Sequence, residues 1–172
     1  MVMDYILCVD MDGVLAEYKW SGTGEERKEG HFLSLRANRN LCEALQEMRK
    51  NGTEIYIVSK IMPDAPFCLP EKRQWLIREM PNLEQDRFVF VADDENKSEA
   101  VAARIGSGIG KNIYLFDDFT GNLMEWEKAG GTSVKAINEI NGKGKIWKGR
   151  RVDIRENRPK EEIISSLKKL LA

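Results

Sequence analysis

Residues 5–16 read YILCVDMDGVLA, an unbroken apolar run, Tyr5–Val9, that stops at the carboxylates Asp10 and Asp12 and then at Gly13. A short apolar run without polar alternation is the pattern of a strand covered on both faces, which places it at the centre of a parallel sheet. Outward from it, strand and helix patterns alternate. Leu41, Leu45 and Met48 recur at helical spacing over Leu41–Lys50, with Asn40 as N-cap and Asn51-Gly52 as the stop. Glu54–Val58 is a second strand, Glu71–Met80 a helix opening after Pro70, and Arg87–Val91 a third strand. Ser98–Ile105 reads as a helix, Ile113–Phe116 as a strand, Asn122–Ala129 as a helix, and Ser133–Ile137 as the last parallel strand. Asn141–Lys160 reads as a basic hairpin or loop, and Glu161–Leu171 as an amphipathic helix. The fold class is therefore α/β, a Rossmann-like three-layer sandwich around a central parallel sheet.

The 172 residues, 42% hydrophobic and 32% charged, suit one globular domain spanning 1–172. Residues 18–38 break the alternation: Gly22, Gly24 and Gly30, the charged run Glu25–Glu29, and scattered Trp20, His31 and Phe32 have no clean period. A small cap or lid, approximately 17–38, is expected there. Net charge is −1, which supplies no global reason for a nucleic-acid or membrane partner. Cys8, Cys42 and Cys68 lack metal or redox spacing and read as reduced core thiols. The five-residue apolar run at the start has no cleavage-site pattern behind it, so a cytoplasmic protein is expected.

In a parallel α/β sheet, ligands sit beyond the carboxyl ends of the strands. The residues standing there are Asp10 and Asp12, then Ser59-Lys60, then Asp93, Asp94, Glu95 and Lys97, then Asp117-Asp118. Each alone has a plainer reading: aspartates make turns, Ser59 and Asp117-Asp118 cap helices, and Lys97 covers a solvated face. Their joint arrival at successive strand ends favours chemistry. Clustered carboxylates need a cation among them, and hard oxygen ligands suit Mg²⁺. Phosphoryl transfer needs a nucleophile, a metal, a proton donor and phosphate contacts, and the set offers each.

These residues resemble the haloacid-dehalogenase-like (HAD) superfamily. Residues 9–16, VDMDGVLA, are similar to its first motif, hhDxDGhh; Ile55–Ser59 is similar to its hydrophobic strand ending in Ser or Thr, and Asp117-Asp118 to its final acidic motif. Residues 114–123, YLFDDFTGNL, with Trp126, Gly130-Gly131, Lys72 and Trp75, resemble the 5′(3′)-deoxyribonucleotidase-like branch. The resemblance implies a Mg²⁺-dependent phosphatase. Asp10 would be the nucleophile, and Asp12 the general acid and base, which also offers a backbone carbonyl to Mg²⁺. Ser59 and a lysine would bind phosphate, Asp118 would bind Mg²⁺ directly, and Asp117 directly or through water.

Lys97 and Lys111 compete for the lysine role. Lys111 precedes the fourth strand, and five residues at ~3.3 Å each leave it ~16 Å from the acidic rim, so Lys97 is preferred. Of the 48 residues between Asp10 and Ser59, about half are spent on a helix and strand. The lid is thus small, with Trp20, His31 and Phe32 as its candidate substrate contacts. The expected partner is a small phosphorylated substrate, a nucleoside monophosphate by the branch resemblance. Gly106–Lys111 is not a nucleotide cradle, since it lacks the P-loop spacing and precedes a strand. Eight basic residues against Asp153 and Glu156 in 141–160 leave nucleic-acid end processing open as an alternative without favouring it. A phosphorylation-dependent signalling domain without turnover is a second alternative; oligomeric state is not encoded in any feature of the chain.

Overall fold

The computed structural model describes residues 5–142 and 147–171. Six parallel strands form one sheet: β1 (Ile6–Val9), β2 (Glu54–Ile61), β3 (Phe88–Ala92), β4 (Ile113–Asp117), β5 (Thr132–Ile137) and β6 (Arg150–Asp153), in the order β3-β2-β1-β4-β5-β6. The chain builds outward from β1 on one side, then returns to pair β4 on its other side. This reversal puts the switch point of the sheet at the carboxyl end of β1, where neighbouring connections diverge and leave a crevice.

Two-sided burial explains the apolar run. Leu7, Cys8 and Val9 are all fully buried. Leu7 and Val9 pack with α1 (Arg39–Lys50), α2 (Cys68–Glu79) and α5 (Lys160–Leu171), through Leu41, Leu45, Trp75, Leu76, Ile163 and Leu167. Cys8 belongs to the opposite layer, with Val101 of α3 (Lys97–Ile105) and Leu123 and Trp126 of α4 (Thr120–Lys128). In this setting Leu7→Ala costs ~2–5 kcal/mol. The three cysteines are buried and free.

Several boundaries differ from the sequence expectation. Asn38, not Asn40, caps α1, accepting from the Leu41 amide at 3.1 Å; Asn40 instead donates to the Arg158 carbonyl at 2.9 Å. Helix α2 starts at Cys68, so Pro70 sits inside the first turn, where no intrahelical amide bond is lost. β2 runs on to Ile61 because Ser59 and Lys60 pair with Phe90 and Val91 of β3; they lie within the strand rather than after it. Ser133–Ile137 is not the last parallel strand. Residues 150–153 add β6 beside β5, where loop or hairpin was expected, with Val152 buried and Arg150 and Arg151 exposed. Lys143 and Lys145 of the basic stretch lie outside the described residues. Among the described residues no helix is long and apolar enough to cross a membrane.

Candidate active site

Asp10 follows directly on β1, and its amide still donates to the Phe116 carbonyl of β4 at 2.9 Å. The chain then folds back in a tight loop, with the Val14 and Ala16 amides donating to the Met11 carbonyl at 3.2 and 2.9 Å. Gly13 makes this possible. Its φ is +78°, and a Cβ there would stand 2.2 Å from Asp118 Oδ2. Only glycine permits both that backbone region and the approach of Asp118.

Lys97, the first residue of α3, is buried and reaches across the switch point. Its Nζ donates to Asp10 Oδ1 at 2.7 Å and to Asp117 Oδ2 at 2.8 Å. Asp117, the last residue of β4, is fully buried; its Oδ1 takes the Phe119 amide at 2.8 Å and its Oδ2 the Asn122 side chain at 2.9 Å. Only Oδ1 of Asp10 accepts a hydrogen bond among the described residues, yet no fully buried side-chain oxygen lacks a partner. Oδ2 is therefore the oxygen of Asp10 open to an incoming group.

The charges do not balance within the protein. Burial, then Asp117, pushes the Asp10 carboxyl well above the ordinary carboxylate range, and Lys97 offsets this only in part. Burial opposes the charge of Lys97, but Asp10 and Asp117 outweigh it and hold the ammonium above its usual value. Asp118 is pushed up to about 6 by burial and Asp117, against a hydrogen bond from Asn138. Oxygens of Asp10, Asp117 and Asp118 lie within 4.8 Å of one another. Three carboxylates, with Lys97 in direct contact with two of them and Lys135 acting on Asp118 only at longer range, are all hard oxygen donors and fit a Mg²⁺ ion.

A second group forms around Asp12. Lys72 of α2, also buried, pairs with Asp12 Oδ2 and donates to Ser59 Oγ at 3.1 Å and the Lys60 carbonyl at 2.6 Å. Ser59 Oγ lies 3.4 Å from Asp12 Oδ2. Each aspartate of the first motif thus has its own buried lysine. The preceding residue, Glu71, accepts the Phe32 amide at 3.0 Å and the Gly30 amide at 2.5 Å, tying segment 17–38 to α2.

A cavity of about 240 Å³ lies between this segment and the strand ends, lined by Asp12, Trp20, His31, Phe32, Lys60, Lys72 and Asp93 among others. Trp20 is half exposed. Phe32 is buried, with Lys72 Nζ 4.9 Å from its ring centroid and His31 packed edge-on at 4.9 Å. One face of the Phe32 ring thus carries Lys72, and Phe32 lines the cavity together with Trp20 and His31. Asp94 and Glu95 are exposed, and Lys111 is exposed at the amino end of β4.

The six residues expected from the sequence, Asp10, Asp12, Ser59, Lys97, Asp117 and Asp118, all meet at one rim. No role was expected for Lys72, whose position on a helix falls outside any strand-end rule, nor for Asn122 and Asn138. Asn138, just past β5, donates to Asp118 Oδ2 at 2.9 Å and to the Gly13 carbonyl at 2.7 Å. Its position after a strand was the signal available.

No protein-family model and no curated protein sequence matches the chain. Solved structures do. The D,D-heptose 1,7-bisphosphate phosphatase of B. bronchiseptica, complexed with magnesium and phosphate, superposes with a TM-score of 0.69 over 96% of this chain and 99% of that one, at 11% identity. A Had-superfamily hydrolase from Ehrlichia chaffeensis gives 0.61 at 12% identity over 97% of each chain. A HAD family hydrolase from Deinococcus radiodurans, with bound phosphate and sodium, gives 0.61 at 12% identity, covering 96% and 95%. The fold is that of the HAD hydrolases. At such identities the HAD likeness speaks for architecture, and the chemistry rests on the side chains at the rim.

Proposed function

We propose that this chain is a Mg²⁺-dependent phosphomonoesterase working through an aspartyl-phosphate on Asp10, with nucleoside monophosphates as its substrates. The observation that carries the reading is the arrangement at Asp10: one oxygen held by Lys97, the other open, at the switch point of the sheet. The structural neighbours include a phosphatase complexed with magnesium and phosphate, which supports the same chemistry.

In this reading Asp10 Oδ2 attacks phosphorus in line with the leaving oxygen, forming the Asp10–phosphorus bond as the ester bond breaks. Asp12 gives its proton to the leaving oxygen, then takes one from the water that attacks the aspartyl-phosphate and frees Asp10. Ser59 donates to a phosphoryl oxygen. Lys97 holds Asp10 and neutralises the phosphoryl group, while Lys72 fixes Asp12 beside the leaving oxygen. Asp10, Asp117, Asp118 and the Asp12 carbonyl would hold Mg²⁺, which when bound neutralises phosphoryl charge. Residues 17–38 serve as the lid, and the cavity beneath them receives the leaving group, with Trp20 as a stacking face for a base.

The test is phosphate release from phenyl phosphate, deoxy- and ribonucleoside monophosphates, hexose phosphates and 3′- or 5′-phosphorylated oligonucleotides, with Mg²⁺ and with chelator. The reading expects chelator-sensitive turnover restored by Mg²⁺, with mononucleotides ahead of oligonucleotides. Phosphate release from no ester overturns it; preference for oligonucleotides assigns end processing in its place.

A further inference from the structure

Within the charged run of residues 25–29, one side chain behaves unlike its neighbours. Glu25, Arg27, Lys28 and Glu29 are exposed, whereas Glu26 is only 3% exposed. Carboxylates are seldom buried to this degree without a cationic partner. Among the described residues Glu26 has no ion pair, and its one hydrogen bond is from Ser21 Oγ to Oε2 at 3.2 Å. Oε1 accepts nothing. Because among the described residues no fully buried side-chain oxygen lacks a partner, Oε1 keeps some access to solvent, and Glu26 lines the same cavity as Trp20, His31, Lys60 and Asp12. A buried glutamate with an unpartnered carboxylate oxygen thus lines the cavity that also reaches the acid–base candidate Asp12.

We infer that Glu26 is a specificity-determining residue of the lid, accepting hydrogen bonds from N–H or O–H donors on the substrate's leaving group. The inference rests on the phosphomonoesterase reading and deepens it. The cavity, at about 240 Å³, falls just under the ~300–1,000 Å³ typical of ligand pockets, so it suits a single compact ring. With the ester oxygen beside Asp12, such a ring lies along Trp20 and turns its edge to Glu26. A leaving group with donors on that edge restores the hydrogen bonds that burial took from the carboxylate; one without donors leaves it unsolvated. Discrimination of this kind is strong because the penalty falls on the wrong substrate. Two donor sources share this chemistry, the N–H edge of a base and the hydroxyls of a sugar.

The deciding experiment compares kcat/KM of the parent and Glu26→Gln for dGMP, glucose 6-phosphate and phenyl phosphate. Replacing the charged acceptor by a neutral amide, one end of which is a donor, predicts a fall of roughly tenfold or more, mainly in KM, for a donor-bearing ester, with phenyl phosphate changing by less than about threefold. Loss confined to dGMP assigns a base edge; loss confined to glucose 6-phosphate assigns sugar hydroxyls. Glu26→Asp, which withdraws the same carboxylate by one methylene, gives the same ranking with a smaller loss. Equal losses on all three esters, or none on any, overturn the inference. If the parent hydrolyses none of the three, the phosphohydrolase reading falls separately, and equilibrium binding of the same compounds to both proteins decides the role of Glu26 by the same ranking.

Discussion

Lys97 Nζ stands 2.7 Å from Asp10 Oδ1, although 87 residues of sequence separate them and the two lie on different elements. The same ammonium reaches Asp117, so one cation holds the ends of β1 and β4 together. Lys97→Ala should lower kcat by ~100-fold or more, the scale of one lost contact to developing charge. It should also destabilise the fold, because two buried carboxylates lose their partner. Lys97→Arg should not rescue turnover, since a planar fork cannot sit between both carboxylates as a point charge does. Lys111→Ala should leave kcat unchanged. Steady-state kinetics with phenyl phosphate, beside thermal unfolding, check all three; a silent Lys97→Ala contradicts the assignment.

Gly13 and Asp118 make a second pair. A methyl group at position 13 would overlap the Asp118 carboxylate and strain a backbone at φ +78°. Gly13→Ala should therefore cost ~1–2 kcal/mol of stability and displace Asp118 from its place beside Asp10. Activity should fall and recover in part at high Mg²⁺. Parent-like activity at low Mg²⁺ contradicts a role for Asp118 in holding the ion.

Lys72→Met keeps the aliphatic stem but removes the donor shared by Asp12, Ser59 and the Lys60 carbonyl. If Asp12 moves the proton, its loss of orientation should lower kcat by ~10²-fold, the lower end of the contribution of a positioned acid or base. An unchanged kcat on phenyl phosphate removes Lys72 from the machinery.

Stability in acid should follow Asp153. Its carboxyl is held down to about 2, chiefly by the hydrogen bonds of Arg155 at 2.6 and 2.9 Å, with Arg158 at 2.9 Å behind them. A group whose folded value lies below its unfolded one stabilises fully above the unfolded value, near ~4, and loses that contribution as pH falls further. The difference in unfolding free energy between the parent and Asp153→Asn should be widest above pH ~5, on the order of 1 kcal/mol, and close as the pH drops towards 2. A difference that stays constant with pH contradicts this.

What the sequence discloses and what it hides divide along physical lines. The run Tyr5–Val9 announces a doubly covered strand because both its faces need apolar residues, and acids that follow such a strand fall at one rim by topology alone. Strand β6 is hidden because an edge strand buries little: Arg150 and Arg151 face solvent, and its place is set by main-chain pairing with β5 that no side chain advertises. The cap of α1, expected at Asn40, falls at Asn38. Asn38 takes the position because its Nδ2 also bonds the Ile154 carbonyl at 2.7 Å, a contact 116 residues away in sequence. Lys72 entered the sequence reading only through a resemblance and Glu26 only within the charged run Glu25–Glu29, because helix and turn residues come to the strand ends by packing, which periodicity does not encode.

In the proposed reaction Asp10 carries the phosphoryl group. Acid-quenching the enzyme during turnover of phenyl phosphate with Mg²⁺, reducing with borohydride and mapping the peptides by mass spectrometry tests it directly, since an acyl phosphate is reduced to an alcohol. Homoserine at position 10, absent without substrate and absent in Asp10→Asn, is the expected result. Homoserine at position 12 instead, or steady turnover by Asp10→Asn, would contradict it.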